Sequence, residues 1–303
     1  MARRLELHDW DDLPGTEERG PGWAMVLGNS IEVLEKLPPR SVDLVFADPP
    51  YHLSNGGTTC QAGRRVRVDK GGWDRSNGVE ADHAFQREWL QACRRVLKPS
   101  GTIWVSGTQH VIFSVGYAMQ ELGFHLLNTV TWFKPNAAPN LACRMFTHST
   151  EILLWAAPLR TKPLAHRFNY RDMKARNGGK QMRDLWEVAE RPEPGGPQVV
   201  WPLPTPGPRE KIHGRHPTQK PLALLERVIA ASSAEGDLVV DPFTGSGTTG
   251  VAAVMSGRRF LGVEMNEEYL DLAARRIRGV EGSRLAPPPS AGPSPVQARV
   301  SST

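Results

Sequence analysis

Apolar residues along this chain fall into two kinds of block. Near-continuous runs at Trp23–Leu27, Ser41–Ala47, Thr102–Val105, Leu238–Val240 and Arg259–Val263 are short and end at Gly, Pro, Asp, Ser or Glu. Runs of that length and content read as strands buried on both faces. Between them lie segments with helical spacing. Phe85, Trp89, Leu90, Cys93, Val96 and Leu97 mark one, and others are predicted over Ile31–Leu37, Val111–Leu122, Leu222–Ala231, 248–256 and 267–278. Ser30 suits the N-cap of the first helix and Pro38-Pro39 stops it; Pro99-Ser100-Gly101 stops the second. Phe124–Phe133 and Glu151–Ala156 read as two strands with no helix between them. Strands alternating with helices predict an open α/β sheet.

Elsewhere the pattern fails. Residues 52–83 form a polar loop with six glycines, a length that inside a domain goes with function or mobility. From Pro158 to His216 no periodicity survives. Residues 158–191 hold nine basic against four acidic residues, an excess equal to the net charge of the whole chain, with Phe168, Tyr170 and Trp186 interleaved. Pro192–Pro208 is rich in Pro and Gly. Residues 1–22 read as a loose lead-in, and 281–303, rich in Pro, Ser and Ala, as disordered. The expected organisation is one domain in two halves, 23–157 and 216–279, split by an insertion at 158–215, with flexible ends at 1–22 and 280–303.

Composition narrows the classes. The 303 residues are 39% hydrophobic and 23% charged, ordinary globular values, with net charge +5, a mild basic bias that permits a nucleic-acid partner. Cys60, Cys93 and Cys143 fit neither a zinc template nor a disulfide framework, so a reducing, cytoplasmic setting is expected. The histidines form no ligand spacing, and no metal is expected. No apolar run reaches the roughly 20 residues of a membrane span, and Arg3-Arg4 are not followed by the apolar stretch of a secretory signal.

Two strand ends carry the chemistry. The strand ending at Ala47 runs into Asp48-Pro49-Pro50-Tyr51, and the one ending at Val240 into Asp241-Pro242-Phe243-Thr244-Gly245-Ser246-Gly247-Thr248-Thr249. Strand ends of this kind line the ligand crevice of an open α/β sheet. Gly245, Gly247 and Gly250 fit G-x-G-x-x-G, and Glu264, nineteen residues after Gly245, lies where an acid binds ribose hydroxyls. That pattern serves any adenosine ribose. Asp241 discriminates: a carboxylate before the glycines repels a pyrophosphate but suits the ammonium of S-adenosylmethionine. The amino group of adenine or cytosine is a weak nucleophile because its lone pair is delocalised. Asp48 and the Pro49 carbonyl can accept its hydrogens and draw it toward tetrahedral geometry, and Tyr51 offers a ring to stack on a base taken out of the helix.

On these residues the chain resembles the DNA amino-methyltransferases of the class in which the catalytic motif precedes the cofactor motif, over about residues 23–279. His216-Pro217-Thr218-Gln219-Lys220-Pro221 resembles that class's segment before the cofactor strand. The resemblance implies a Rossmann-like, mostly parallel seven-stranded sheet with helices on both faces and one antiparallel strand, strand 23–27 lying beside strand 259–263 at the cofactor edge. It implies S-adenosylmethionine as cofactor, held by Asn29, Asp48, His216, Thr218, Gln219, Lys220, Asp241, Pro242, Phe243, Gly245, Gly247, Thr248, Thr249 and Glu264. Family members often carry Asp where Asn29 stands. Catalysis is assigned to Asp48, Pro49, Pro50 and Tyr51.

The segments Leu53–Gly57, Lys70–Asp74, Pro139-Asn140-Leu141 with Arg144, Phe146–Glu151 and Gly179–Met182 are similar to the Dpn-type second adenine methylases of restriction-modification systems. That subgroup implies methylation of adenine N6 in GATC, tolerance of single-stranded as well as double-stranded DNA, a homodimer and a cognate restriction endonuclease, acting on bacterial, nucleoid-associated DNA. The insertion would then recognise the target, with Trp73, Arg144, Lys174, Arg176, Lys180 and Arg183 as DNA contacts. Cytosine N4 stays as an alternative target, although its methylases usually carry Ser in place of Asp48. A nicotinamide-dependent oxidoreductase, a protein-glutamine or RNA methylase and a nonenzymatic DNA-binding protein are more remote.

Overall fold

The computed structural model describes residues 13, 15–51, 54, 58–61, 64–67, 74–134, 137, 139–186, 206, 210, 213, 214 and 216–283. In chain order these give β1 (Thr16–Gly20), β2 (Trp23–Leu27), α1 (Ser30–Lys36), β3 (Val42–Ala47), β4 (Thr58–Gln61), β5 (Arg64–Arg67), α2 (Val79–Val96), β6 (Leu97–Gly107), α3 (Ile112–Glu121), β7 (His125–Phe133), β8 (Thr150–Ala157), α4 (Tyr170–Arg176), β9 (Leu185–Trp186), α5 (Leu222–Ser232), β10 (Leu238–Asp241), α6 (Thr248–Met255), β11 (Arg259–Glu264) and α7 (Glu267–Arg278). Strands β4 and β5 form a separate antiparallel hairpin.

One sheet of nine strands, ordered β1-β2-β11-β10-β3-β6-β8-β7-β9, organises the rest. Its middle seven are the predicted sheet, parallel from β2 to β6 with β8 reversed. The two additional strands correct the expectation of seven. Thr16–Gly20, read as loose lead-in, pairs antiparallel with β2, so β2 lies beside β11 as expected but is not an edge. Leu185–Trp186 pairs with Thr131 and Trp132 inside the segment where no periodicity was visible. Both strands alternate exposed or half-buried with more buried residues, or are too short for a period to show.

Alternation along the parallel strands builds two cores. Ala24 and Val26, Val45 and Ala47, Ile103 and Val105, Val240, Leu261 and Val263 face α1, α2 and α3. Trp23 and Met25, Leu44 and Phe46, Trp104, Val239 and Phe260 face α5, α6 and α7. A sheet covered on both faces is what near-continuous apolar runs require. Asn29, not Ser30, caps α1: its side chain accepts from the Ile31 amide at 2.9 Å. Asp43 ties the central pair together, accepting from the Leu238 amide at 3.0 Å and from Lys98 at 2.6 Å, and this fixes β10 beside β3 with Val239 opposite Leu44.

The segment after β8, as far as residue 186, runs from one end of the strands to the other. The Arg167 amide bonds the Ser100 carbonyl, and Asn169 bonds the Ala230 and Ser233 carbonyls, all at the end of the parallel strands away from Asp48 and Asp241. After α4 the chain returns to the catalytic end, where the Thr131 amide bonds Asp184.

Candidate active site

Strands β3 and β10 are hydrogen-bonded neighbours, so their ends, Asp48 and Asp241, open into one cleft of about 430 Å³. Asn29, Pro49, Pro50, Tyr51, His216, Thr218, Lys220, Pro242, Phe243, Gly245, Thr248, Thr249 and Glu264 also line it. The volume lies within the range of small-molecule sites. Apolar walls come from Phe85, Phe243 and Val263, with Phe243 edge-on to Trp89 at 5.3 Å.

The glycine turn joins β10 to α6. Gly245 and Gly247 take left-handed φ values of +52° and +74°, which favour glycine. At Gly245 a Cβ would lie 3.0 Å from the His216 ring, which in turn packs against Tyr269 at 4.3 Å between centroids. At Gly247 it would meet Ala273 at 2.6 Å, so this glycine, absent from the cleft wall, lets α6 pack on α7. Asp241 accepts from the Phe243 amide at 3.0 Å and the Thr249 hydroxyl at 2.6 Å. Burial pushes its carboxyl up to about 7 against those two hydrogen bonds, and the negative charges of Asp48 and Glu264 add to the rise. Glu264 accepts from the amides of Gly245, Met265 and Asn266 at 2.8–2.9 Å, which aims it across the turn; burial raises its carboxyl.

Asp48 is held on both oxygens. The Tyr51 hydroxyl donates to Oδ1 at 2.6 Å, and Lys220 Nζ to Oδ2 at 2.5 Å. Tyr51 is only 6% exposed, and its hydroxyl also lies 3.1 Å from Ser106 Oγ and 3.3 Å from Glu151 Oε2. Burial, then the charges of Asp48 and Glu151, push that hydroxyl above the ordinary phenol range, so it stays a donor. Tyr51 therefore braces Asp48 here instead of offering an open stacking face, and Lys220 Nζ sits 5.3 Å above its ring. Its backbone is anchored by Asp74, fully buried, which accepts from the Tyr51 amide at 3.0 Å and the Ser54 hydroxyl at 2.8 Å.

The segment before α5 divides its work. His216 supports the glycine turn, Thr218 faces the cleft, and Gln219 turns away to donate to the Glu210 carbonyl at 2.9 Å. Lys220 crosses to the catalytic strand. Glu151, at the start of β8, and Lys134, just after β7, complete the cluster: Lys134 Nζ is 2.9 Å from Glu151 Oε1, and Lys220 Nζ 3.7 Å from Oε2. Sequence reasoning gave Glu151, Lys134, Ser106 and Asp74 no role. Each was a lone polar residue at a strand end or in a loop, and only the β6–β8–β7 pairing brings the first three together.

Of the expected DNA contacts, Arg144, Lys174, Lys180 and Arg183 are exposed. Arg176 is half-buried and pairs with Asp172 at 3.0 Å, which removes it from the free cations of the surface. Trp73 lies outside the described residues. Lys180 and Arg183 lie between α4 and β9, on the stretch that returns toward the end of the sheet that carries Asp48 and Asp241. Arg167 pairs with Asp237 at the opposite end, at 3.6 Å. Among the described residues no helix is long and apolar enough to cross a membrane.

A DNA methylase family model, that of the N6/N4 methyltransferases, matches residues 42–275. The chain is 49% identical to the type II methyltransferase M2.LlaDCHI of Lactococcus lactis subsp. cremoris and 48% identical to M2.DpnII of Streptococcus pneumoniae, each over 84% of this chain and 88% of the relative. It is 44% identical to M2.MboI of Moraxella bovis, over 84% of this chain and 86% of that one. Among solved structures, the cytosine-N4-specific PvuII DNA methyltransferase superposes with a TM-score of 0.65 at 21% identity, covering 86% of this chain and 88% of that one. The M1.HpyAVI complex with S-adenosylmethionine superposes with a TM-score of 0.55 at 24% identity, covering 84% and 98%. At those identities the structures speak for the fold.

Proposed function

The chain belongs to the N6/N4 DNA methylase family and is an S-adenosylmethionine-dependent DNA methyltransferase, and from that premise we propose that it methylates the N6 amino group of an adenine turned out of the DNA helix, in a short site for which GATC is the first sequence to test. The observation that carries the reading is the pairing of β3 with β10, which sets an Asp-Pro-Pro-Tyr strand end and an acidic, glycine-turned strand end on one cleft.

The donor set fits the cofactor. Asp241 and Glu264 offer acceptors for an ammonium and for ribose hydroxyls, and Phe243 and Val263 offer apolar cover for a purine. Asn29 lines the same cleft, with its oxygen engaged in capping α1. When bound, S-adenosylmethionine supplies an electrophilic methyl group on a sulfonium.

The protein's contribution is position and charge. Asp48 accepts one hydrogen of the target amino group and the Pro49 carbonyl the other, which returns lone-pair density to the nitrogen. Held so, the amino nitrogen would be placed to take the methyl group that bound S-adenosylmethionine would supply, the carbon–sulfur bonding pair staying on the sulfur. The extra proton on the cationic amino nitrogen passes to Asp48 or to water. Asp48 need not be a strong base, because the proton becomes acidic only as the methyl adds. Acceptors already aimed at the developing charge cost no reorganisation during the reaction.

On the DNA side, Arg144, Lys180 and Arg183 would contact phosphates or base edges, on duplex and on single strands. The relatives M2.DpnII and M2.MboI are type II methyltransferases, which supports a restriction-modification setting with a cognate endonuclease, in the cytoplasm where the DNA is. The test is labelled S-adenosylmethionine with unmethylated bacterial DNA and mass analysis of the nucleosides. N6-methyladenine that disappears in Asp48→Ala, with cofactor affinity within a few-fold of wild type, is the expected result. N4-methylcytosine would overturn the base, and transfer surviving in Asp48→Ala would overturn the catalytic assignment.

A further inference from the structure

Lys220 is the cation nearest the reacting carboxylate, yet it comes from the segment that the family resemblance gives to the cofactor. Its ammonium is buried, 2.5 Å from Asp48 Oδ2 and 3.7 Å from Glu151 Oε2, with the Tyr51 ring beneath it. Glu151 in turn is clamped by Lys134 at 2.9 Å. Two carboxylates and two ammoniums thus alternate from β3 to β7, linked also by the Tyr51 hydroxyl between Asp48 and Glu151. A buried carboxylate free to rotate would present its oxygens in many directions. One pinned on both oxygens presents its remaining lone pairs in one.

We propose that Lys220 is a positioning residue for methyl transfer: its ammonium, shared between Asp48 and Glu151, fixes the Asp48 carboxylate in the orientation that receives the target amino group. Glu151 and Lys134 hold the ammonium's second anchor, so that Lys220 stays set against Asp48 Oδ2 while the remaining lone pairs of that carboxylate are left for the cleft it lines. Burial alone would discharge both Lys220 and Glu151, but their mutual attraction and that of Asp48 and Lys134 outweigh it, raising the lysine and lowering the carboxyl. Lys220 and Glu151 therefore stay charged across the neutral range. The inference rests on the methyltransferase reading above.

The test is single-turnover methyl transfer to unmethylated duplex DNA at saturating S-adenosylmethionine, together with calorimetric binding of that cofactor. Lys220→Met should leave cofactor affinity within about threefold of wild type and slow transfer about a hundredfold. The acid limb of its pH–rate profile should move to higher pH, because the Lys220 charge helps to hold the Glu151 carboxyl low, and without it Glu151 is harder to ionise. Lys220→Arg should recover about tenfold of the loss, a rescue that a packing defect would not give. Since Lys220→Met leaves Asp48 facing Glu151, the same chain with Glu151→Gln added carries the test if the single variant does not fold. Transfer within about threefold of wild type in the variant overturns the inference, as does a cofactor affinity lowered tenfold or more with the saturated rate intact. A wild-type chain that transfers no methyl to DNA overturns the underlying reading as well, a result distinct from either.

Discussion

At the scale of single residues, Asp241 carries a charge that its surroundings resist. Burial, with Asp48 and Glu264 close by, lifts its carboxyl to about 7; the Cys93 thiol is raised by its own burial and, second to that, by Asp241. The folded value lies above the ordinary carboxylate value, so the carboxyl is protonated below pH 7 in the free protein and costs folding stability as pH rises through that point. A cationic ligand binds the ionised form. Affinity for S-adenosylmethionine should therefore rise from pH 6 to about 7 and fall again as the ligand's own α-amino group loses its proton near ~7.7–8.0. Calorimetry across pH should trace that bell, and Asp241→Asn should abolish the acid limb while raising the melting temperature of the free protein at pH 8. A flat profile would mean that Asp241 does not meet the ammonium.

Asp48, Asp241 and Glu264 were legible in the sequence because each ends an apolar run at a turn. Lys220 was legible only as part of a motif. Its partner Asp48 is 172 residues away, and no local pattern encodes a salt bridge across that separation. Asp74, too, was legible only as the end of a segment that carries the family resemblance: it acts on the backbone of Tyr51 and on Ser54, from a loop with no period of its own.

Among the elements, the turn before α6 holds two glycines with different duties. Gly245 stands against His216 on the cleft wall, and Gly247 against Ala273 behind it. Gly245→Val should weaken cofactor binding tenfold or more. Gly247→Ala should instead destabilise the fold by about 1–3 kcal/mol through its left-handed backbone and the crowding of Ala273. Denaturation and calorimetry on the two variants would separate these effects; equal losses of affinity at equal stability would contradict the division. The inserted segment shows the limit of reading charge from sequence. Its basic residues looked like one patch, but Arg167 is anchored at the far end of the sheet, while Lys180 and Arg183 lie between α4 and β9, on the stretch that returns toward Asp48 and Asp241. Neutralising both Lys180 and Arg183 should reduce the slope of log affinity against log salt for duplex DNA by about 0.9 for each phosphate that is no longer neutralised, and Arg167→Ala should leave it unchanged. Equal effects from both ends would mean that DNA wraps the whole segment.

Across the whole molecule, strand order was predictable in its centre and not at its margins. The five parallel strands β2, β3, β6, β10 and β11 announced themselves by near-continuous apolar runs, and β7 and β8 as a pair without a helix between them, whereas β1 and β9 are partly solvated strands whose sequence carries no such signal. Yet β1 has a consequence of its own. Glu18 of β1 pairs with Arg278, and Trp23 Nε1 of β2 donates to Glu281 at 2.7 Å, so the first two strands of the fold are fastened to the end of its last helix and the residues just after it. The described ends of the chain are therefore near neighbours, and the polypeptide can be thought of as a ring cut at an arbitrary place. Joining residue 283 to residue 13 by a short linker and opening the chain between Trp186 and Pro206 would write α5 to α7 first and β1 to β9 second. The same nine strands should then assemble in the same spatial order, and the rearranged gene product should still bind the cofactor, because the cleft depends on which strands are neighbours in space and not on which is synthesised first.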